Sequence, residues 1–367
     1  VMYPEFTESA KWLESGEDNL RFALVNRTSP DGAWDTQSIS YQTVSVPWAL
    51  RCLEFLQANP GSGNLSAMAE MTKTQVGKLL SMMLWIAMPN GGMPNVGDTY
   101  CRADWSSGFM GSCLTSYLHS QMSPEQQEKL NAVSDPYERM KAALAVSGPL
   151  PTSVGFPASG YYVMRSGWEP LSARYLYFDV TPQAMGRAHN DALHFDFYGY
   201  GKPLLADTGD YFLGWGYRAA LHNTVEVDGE DQLRGAQKAP MMPREWLTTS
   251  AFDLADMAHG AYEHLKVTAR RKLVFVKPDY AIVCDLLTGE GNHKLEQFFH
   301  FAGATQQKAT KARIDDKTLA AISENPDTAN VQVVPAHVEG LKAGFAQAQE
   351  TAMKVEDPRG DAGLDGD

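Results

Sequence analysis

Two hydrophobic periods divide the chain. Up to about residue 146 apolar residues recur at helical spacing, most clearly in TVSVPWALRCLEFLQAN (43–59) and NLSAMAEMTKTQVGKLLSMMLWIAM (64–88). SPEQQEKLNAV (123–133) opens with a serine suited to an N-cap, and DPYERMKAALAVSG (135–148) has proline at the first helical position and glycine at its end. The first part of the chain is therefore predicted to be helical.

After residue 160 the period changes to two. Apolar and polar residues alternate in short runs bounded by turn residues, as in ARYLYFDV, HFDFYGYG, NTVEVDG, LKVTARRKLVFV, YAIVCDLL and LEQFFHF. Many short strands at this spacing are typical of an antiparallel β-sandwich. SGPLPTSVGFPASG (147–160) reads as a linker by composition. We expect an α+β multidomain chain with a helical domain at 1–150, a β-sandwich at 151–345 and a disordered tail at 346–367.

Composition and charge argue against two classes of partner, nucleic acids and membranes. The 367 residues are 44% hydrophobic and 20% charged, as in globular proteins with a sizeable core. The net charge of −13 argues against a nucleic-acid partner. No apolar run is long enough for a membrane span, and the first residues lack the basic start and apolar core of a signal peptide. We therefore expect neither a nucleic-acid nor a membrane partner.

Titratable residues crowd one short region of the strand-rich part. RAHNDALHFDFYGYGKPLLADTGDY (187–211) and LHNTVEVDG (221–229) together contain His189, Asp207 and His222. These three are about a hairpin apart, so neighbouring strands could bring them together, and zinc prefers histidine nitrogen and carboxylate oxygen. The alternative is that each is an isolated histidine or aspartate of the core or surface.

The same region carries a resemblance. AHNDALHFDFYGYGKPLLADTGDY and YRAALHNTVEVDGEDQ resemble the signature of the heparinase II/III-like polysaccharide lyases, and SPDGAWDTQSISY (29–41) and MPNGGMPNVGD (88–98) are similar to loops of the family's helical part. The resemblance implies an incomplete (α/α) toroid followed by an antiparallel β-sandwich. It also implies a Zn²⁺ ion that shapes the site, with His189, Asp207 and His222 as its ligands.

By the same resemblance the reaction is β-elimination on a uronic-acid polysaccharide, either alginate or a heparin-like glycosaminoglycan. Tyr41 matches the family's toroid tyrosine and is the expected catalytic acid or base, with Tyr217 as its β-domain partner and Tyr211 as the competing choice. A tyrosine can take this role when nearby positive charge lowers its pKa.

Arginines are the candidates for holding the acidic substrate. Arg187, Arg218 and Arg244 are the residues we consider, because guanidinium presents a planar fork of donors to carboxylate or sulfate. His194 and His300 are expected to be structural, and Asp191 is expected to orient a ligand histidine. The substrate class implies a periplasmic or secreted protein, and a homodimer is left open.

The chain departs from the family pattern in two places. Arg187 stands where the family has the first histidine of its HxH motif, and counting back from Tyr41 places the family's Asn–His pair ahead of Val1. We therefore keep two alternatives to the lyase: a non-catalytic carbohydrate-binding fragment of such an enzyme, and a zinc hydrolase that activates water at the His/Asp cluster.

Overall fold

The chain divides into two compact units, Val1–Ala309 and Thr310–Asp367. The structure is a computed structural model and describes residues 6–59, 64–99, 122–135, 138–139, 141–142, 150, 152–181, 187–207, 217–234, 236, 238–303 and 310–345. The expected tail at 346–367 lies outside the described residues. In the described part of the chain no helix combines the length and apolarity that a membrane crossing needs.

Helices form where the 3.6-residue period predicts them. The described helices are α1 (Ser9–Asn26), α2 (Ile39–Ala58), α3 (Leu65–Ile86) and α4 (Pro124–Asn131). α4 begins with a capping box in which Ser123 accepts a hydrogen bond from the backbone of Gln126 and the Gln126 side chain returns the bond. Of the helix predicted at 135–148, the described residues 138–139 and 141–142 are helical, and the rest lies outside the described residues.

Helix α2 positions the loop before it. The buried Gln42 side chain accepts from the backbone N–H of Trp34 at 3.2 Å and donates to the Gly32 carbonyl at 2.9 Å. Gly32 has φ +103°, and a Cβ there would lie 2.4 Å from the Lys78 carbonyl oxygen. The loop therefore lies close against both α2 and α3.

Five antiparallel strands follow the helices and share their core. The order is β1-β2-β3-β4-β5, with β1 (Val154–Phe156), β2 (Tyr161–Arg165), β3 (Arg174–Asp179), β4 (Phe195–Gly199) and β5 (Lys202–Leu205). One hydrophobic cluster includes α3 residues together with Val163, Tyr175 and Tyr198 of this sheet. The segment predicted as a linker at 147–160 thus contributes a strand.

Helix α3 ends against this sheet. Its last carbonyls receive donors from the β2 and β3 side chains: Arg165 binds the Trp85 and Ala87 oxygens, and the Tyr175 hydroxyl binds the Ile86 oxygen. Terminal carbonyls lack partners within a helix, and a cation there also complements the helix dipole. The buried Arg165 guanidinium stacks 3.9 Å from the Trp168 ring, so the helical and strand-rich parts meet at a satisfied helix end.

A second antiparallel sheet has the order β10-β9-β8-β7, with β7 (Met241–Thr248), β8 (Phe252–His259), β9 (Val267–Val276) and β10 (Tyr280–Gly289). Along β9 buried and half-buried residues alternate strictly, as a strand with one covered face requires. A short pair joins β6 (Val225–Val227) to β11 (Leu295–Gln297). The unit Thr310–Asp367 contains a small sheet of β12 (Ala312–Ile314), β13 (Ala321–Ser323) and β14 (Gln332–Val333).

Arg271 of β9 connects the second sheet to the region that carries the histidines. It is fully buried, and its Nε and Nη2 donate to the two Asp285 oxygens at 2.7 and 2.8 Å. Its Nη1 donates to the carbonyls of Leu193 and Asn223 at 2.6 and 2.5 Å. Arg271 therefore ties together the two segments that carry His194 and His222.

Removing one partner from a buried ion pair leaves an uncompensated charge. We expect Arg271→Met to lower the free energy of unfolding by about 3–5 kcal/mol, measured by urea denaturation. Adding Asp285→Leu should recover part of that loss, because it removes the unpaired carboxylate. A loss below about 1 kcal/mol for the single variant would contradict the role given to Arg271.

Candidate active and metal site

Two loops of the helical part approach the histidine-bearing segment at Gly97. Gly97 has φ +57°, and a Cβ there would lie 2.4 Å from the Arg187 oxygen and 2.6 Å from the Gln37 oxygen. The backbone N–H of Asp98 donates to the Arg187 carbonyl at 2.9 Å, and that of Arg187 donates to the Thr36 carbonyl at 3.1 Å. A side chain at position 97 would separate these three backbones, so glycine permits the contact.

The same loop caps α2 and so places Tyr41. Ser38 Oγ donates to the Asp98 carbonyl at 2.9 Å, and the backbone N–H of Ile39 donates to Thr99 Oγ1 at 3.1 Å. These bonds satisfy backbone and side-chain groups at the start of the helix. Tyr41 follows two residues later and is half-buried.

Arg187 lies between Tyr41 and Asp98. Its guanidinium carbon is 4.7 Å from the centroid of the Tyr41 ring, and its Nη1 is 3.1 Å from Asp98 Oδ2. The Arg187 side chain remains 35% exposed, whereas Asp98 is buried. Arg187 thus brings a cation against the candidate catalytic tyrosine.

His189 is buried beside the same carboxylate. Its Nε2 is 3.0 Å from Asp98 Oδ1, and its Nδ1 has no hydrogen-bond partner among the described residues. Its ring centroid lies 4.8 Å from that of Tyr217 and 5.4 Å from that of His222. Burial, followed by the nearby His222, lowers the pKa of His189, which favours the neutral imidazole that a metal requires.

His222 and Asp207 form a buried pair. His222 Nδ1 lies 2.9 Å from Asp207 Oδ2, and the Asp207 carbonyl accepts a bond from the Asn95 side chain at 3.4 Å. Burial alone would raise the pKa of the Asp207 carboxyl, but His222 and His194 hold it well below its ordinary value. Asp207 is therefore a carboxylate at neutral pH.

His194 uses both ring nitrogens in contacts with the protein. Its Nδ1 accepts the backbone N–H of Asn223 at 2.9 Å, so its Nε2 carries the proton. That Nε2 lies 2.9 Å from Asp196 Oδ1 and 3.6 Å from Asp207 Oδ2. His194 therefore contacts two carboxylates and the neighbouring backbone.

Two overlapping groups of buried side chains could hold a metal ion. One is His189, Asp191 and His222, the other is His194, Asp207 and His222, and the ligand atoms within each group lie within 4.8 Å of one another. The predicted ligands are divided between the two groups, which share His222. The neutral His189 with its unpartnered Nδ1 and the ionised Asp207 give a donor set that suits zinc.

The remaining predicted residues lie in different surroundings. Tyr217 is 39% exposed beside His189, and its carbonyl accepts two bonds from Asn190. Arg218 pairs with Glu226 and Asp231 at 3.7 and 3.6 Å. Arg244 is exposed at a bulge in β7, with no contact to the histidine cluster in the described ranges. Tyr211 lies outside the described residues.

Two cavities lie along the loops of the helical part. One of about 310 Å³ is lined by Arg27, Trp34 and Gln37 among others, and one of about 500 Å³ by Gln37, Thr181 and Lys238 among others. Both include Gln37, whose carbonyl faces Gly97. Among the described residues that line these cavities, none is Tyr41, Asp98, Arg187 or His189, so the cavities do not mark the histidine cluster.

Asp98 and Asp179 are buried acids that sequence reasoning did not single out. Asp98 ends the glycine- and proline-rich loop MPNGGMPNVGD, and that loop was the available signal. Asp179 ends β3, where burial, opposed by hydrogen bonds from Thr181, raises its pKa to about 7. Burial, followed by the nearby Asp179, raises the pKa of Asp191 as well. Both carboxyls therefore hold their protons more strongly than an exposed aspartate does.

Family models match both parts of the chain. The model for the C-terminal part of heparinase II/III-like proteins matches residues 148–356, and the model for the heparinase II/III N-terminus matches residues 1–122. The first of these alone covers more than half of the chain.

Curated relatives are heparin-sulfate lyases. The protein from Bacteroides stercoris is 22% identical over 304 residues, which is 79% of this chain and 42% of the relative. The protein from Bacteroides thetaiotaomicron is 22% identical over 351 residues, 89% of this chain and 47% of the relative. The chain thus spans less than half the length of these relatives.

Solved structures share the fold. A heparan sulfate lyase mutant from Pedobacter heparinus has a TM-score of 0.67 at 17% identity, over 90% of this chain and 49% of that one. A heparinase III crystal structure has a TM-score of 0.69 at 16% identity, over 89% of this chain and 50% of that one.

The raised pKa of Asp179 has a defined consequence for stability. An acid with a raised pKa keeps its proton when folded but loses it when unfolded, so stability falls from about pH 4 to about pH 7 and levels off above. Asp179→Asn removes this ionisation and should be more stable than wild type at pH 8, with a smaller advantage at pH 5. Urea denaturation at both values measures it, and an advantage that shrinks as the pH rises would contradict the assignment.

Proposed function

This chain belongs to the heparinase II/III-like family, and from that premise we propose that it is a polysaccharide lyase acting by β-elimination on a uronate-containing polymer. One observation carries the proposal. Tyr41, Arg187, Asp98 and His189 form an unbroken run of contacts between the helical part and the strand-rich part.

Elimination makes three demands on the site. A base removes the proton at C5 of the uronate, a cation neutralises the adjacent carboxylate as charge develops, and an acid protonates the oxygen that leaves C4. The three groups must face one sugar ring from positions fixed before the substrate binds.

Tyr41 and Arg187 are suited to two of these tasks. We propose Tyr41 as the acid or base, with the Arg187 guanidinium carbon 4.7 Å from the centroid of its ring. The exposed part of Arg187 is the group we assign to the substrate carboxylate, because guanidinium binds carboxylates through paired donors.

Tyr217 is the proposed second tyrosine. It contacts His189 and keeps 39% of its surface exposed, so its ring can reach a bound polymer. Tyr211 remains the competing proposal. Arg218 and Arg244 remain proposals for outer substrate contacts, although Arg218 already serves two carboxylates.

A zinc ion fits the donor set, and we propose His189, Asp207 and His222 as the residues that would hold it. Bound zinc would supply fixed positive charge and hold two strand-borne histidines in one arrangement. The proton transfers stay with the tyrosines.

The complete architecture is also part of the proposal. We propose that the helices belong to an incomplete (α/α) toroid and that the two larger sheets form a β-sandwich. Tyr162 of the first sheet packs 5.1 Å from Trp246 of the second, and Ser153 donates to Asp253, which supports sheet-on-sheet packing.

Between the two uronans considered, the relatives' names favour a heparin-like glycosaminoglycan over alginate. Such polymers are met outside the cytoplasm, and we propose a periplasmic or secreted location. With a net charge of −13, the protein depends on local cations such as Arg187 to attract a polyanion.

The function is tested with a panel of heparan sulfate, heparin and alginate, following the ultraviolet absorbance of the new C4–C5 double bond. We expect signal from a heparin-like polymer, and Tyr41→Phe should lower kcat by about 10²–10⁴-fold because the proton-transfer group is lost.

The matched control is Tyr200→Phe. Tyr200 also lies under an arginine, with the Arg174 guanidinium 3.5 Å from its ring, but at the exposed β4–β5 turn, so kcat should be unchanged. Saturable binding without absorbance would favour the non-catalytic fragment, and sugar release without absorbance would favour the zinc hydrolase. Full activity of Tyr41→Phe would overturn its assignment.

Metal removal should act on stability. A ligand present at 100 times its Kd stabilises the folded state by about 2.7 kcal/mol, so chelation of the zinc-loaded protein should lower Tm by several degrees. His222→Ala should abolish that zinc-dependent shift. His293→Ala, which removes a matched exposed His–Asp pair with a 2.6 Å contact, should retain it. An equal zinc shift in His222→Ala would contradict the ligand set.

A further inference from the structure

We propose that Asp98 is a positioning residue that sets the orientation of both His189 and Arg187. A catalytic role for Asp98 rests on the proposed function. Its positioning role rests on two contacts of one buried carboxylate. Each oxygen has its own partner: Oδ1 lies 3.0 Å from His189 Nε2, and Oδ2 lies 3.1 Å from Arg187 Nη1.

The backbone that carries this carboxylate is held on both sides. Asp98 is 1% exposed, its N–H donates to the Arg187 carbonyl, and its own carbonyl accepts from Ser38 Oγ. Gly97 before it allows the close approach of backbones, and Thr99 after it caps α2. The side chain therefore has a fixed position relative to the start of α2.

This fixed acceptor determines the tautomer of His189. A carboxylate accepts hydrogen bonds, so a neutral His189 carries its proton on Nε2 and keeps the lone pair on Nδ1. That Nδ1 is the nitrogen without a hydrogen-bond partner among the described residues. A histidine that donates one ring nitrogen to a carboxylate and offers the other to a metal is a common arrangement in metalloproteins, where the carboxylate raises ligand basicity.

The second oxygen determines where Arg187 lies. Its charge holds the guanidinium between the buried carboxylate and the Tyr41 ring, 4.7 Å away. Without Asp98 the arginine would lose this ion pair, and its guanidinium would be held less firmly against the Tyr41 ring. One carboxylate from the helical part thereby sets both a candidate metal ligand and a candidate substrate-binding cation of the strand-rich part.

Two variants weaken the contacts of Asp98 to different degrees. Asp98→Ala removes both acceptors, whereas Asp98→Asn keeps the shape and one acceptor oxygen but loses the charge, and serves if the alanine variant does not fold. The control is Asp256→Ala, which removes another buried carboxylate that bridges two cations, Arg270 and Lys272, within the second sheet.

The readouts do not all depend on catalysis. Long-range proton–nitrogen NMR of metal-free protein labelled with ¹⁵N-histidine should show His189 protonated at Nε2 in wild type and in Asp256→Ala, and a mixture of tautomers in Asp98→Ala. Competition with a chromogenic chelator should show zinc affinity about 10–100-fold weaker in Asp98→Ala, with Asp98→Asn between it and wild type. On a cleaved polymer, both variants should raise KM as well as lower kcat, because Arg187 loses its anchor.

Wild-type tautomer and wild-type zinc affinity in both Asp98 variants would overturn the proposal. If wild type cleaves no polymer, the proposed function fails while the tautomer and zinc measurements still judge Asp98. If wild type binds no zinc, the tautomer alone decides: a mixture in Asp98→Ala supports the proposal, and an unchanged Nε2 proton overturns it.

Discussion

The site depends on the pairing of buried charge. An isolated charge in a protein interior is costly, so the buried Asp98, Asp207 and Arg271 each have a polar partner that fixes their position, whereas burial raises the pKa of Asp179 and Asp191. Asp98 holds Arg187 and His189, Asp207 holds His222, and Asp285 holds Arg271. Because Asp98 lies 89 and 91 positions from its two partners, pairing its carboxylate also brings a loop of the helical part against the strand-rich part.

The helical part contributes Asp98 from the loop after α3 and Tyr41 from the first turn of α2. Gln42 and Gly32 hold the loop before α2, and Gly97 lets the loop after α3 meet Arg187. The same contacts that complete helix ends therefore deliver Tyr41 and Asp98 to the histidine cluster. Gly97 has no catalytic group, but the close backbone contact that it permits helps to position the residues that do.

The spacing of apolar residues predicted the helices and strands better than it predicted the contacts between them. α2 and α3 lie close to the bounds expected from apolar spacing, and β9 shows the alternation that the sequence displays. β7 and β8 were missed: MMPREWLT has proline and exposed polar residues, and FDLADMAH buries Asp253 against Lys277, so neither alternates cleanly. The family, inferred from the 187–232 motif, was confirmed by the family models.

The site was predicted in its residue types but only partly in its pairings. The spacing of His189, Asp207 and His222 marked the region, yet the structure divides them between two groups that also use His194 and Asp191. Asp98 contacts residues 89 and 91 positions away in the sequence, and no local pattern predicts those contacts.

The most direct measurement is anomalous diffraction at the zinc edge from crystals of the protein grown with zinc and a heparin-like oligosaccharide. The account predicts one zinc peak bounded by His189, Asp207 and His222, with a uronate carboxylate at Arg187 and its ring facing Tyr41. A zinc peak elsewhere, or a sugar bound away from Tyr41, would contradict it.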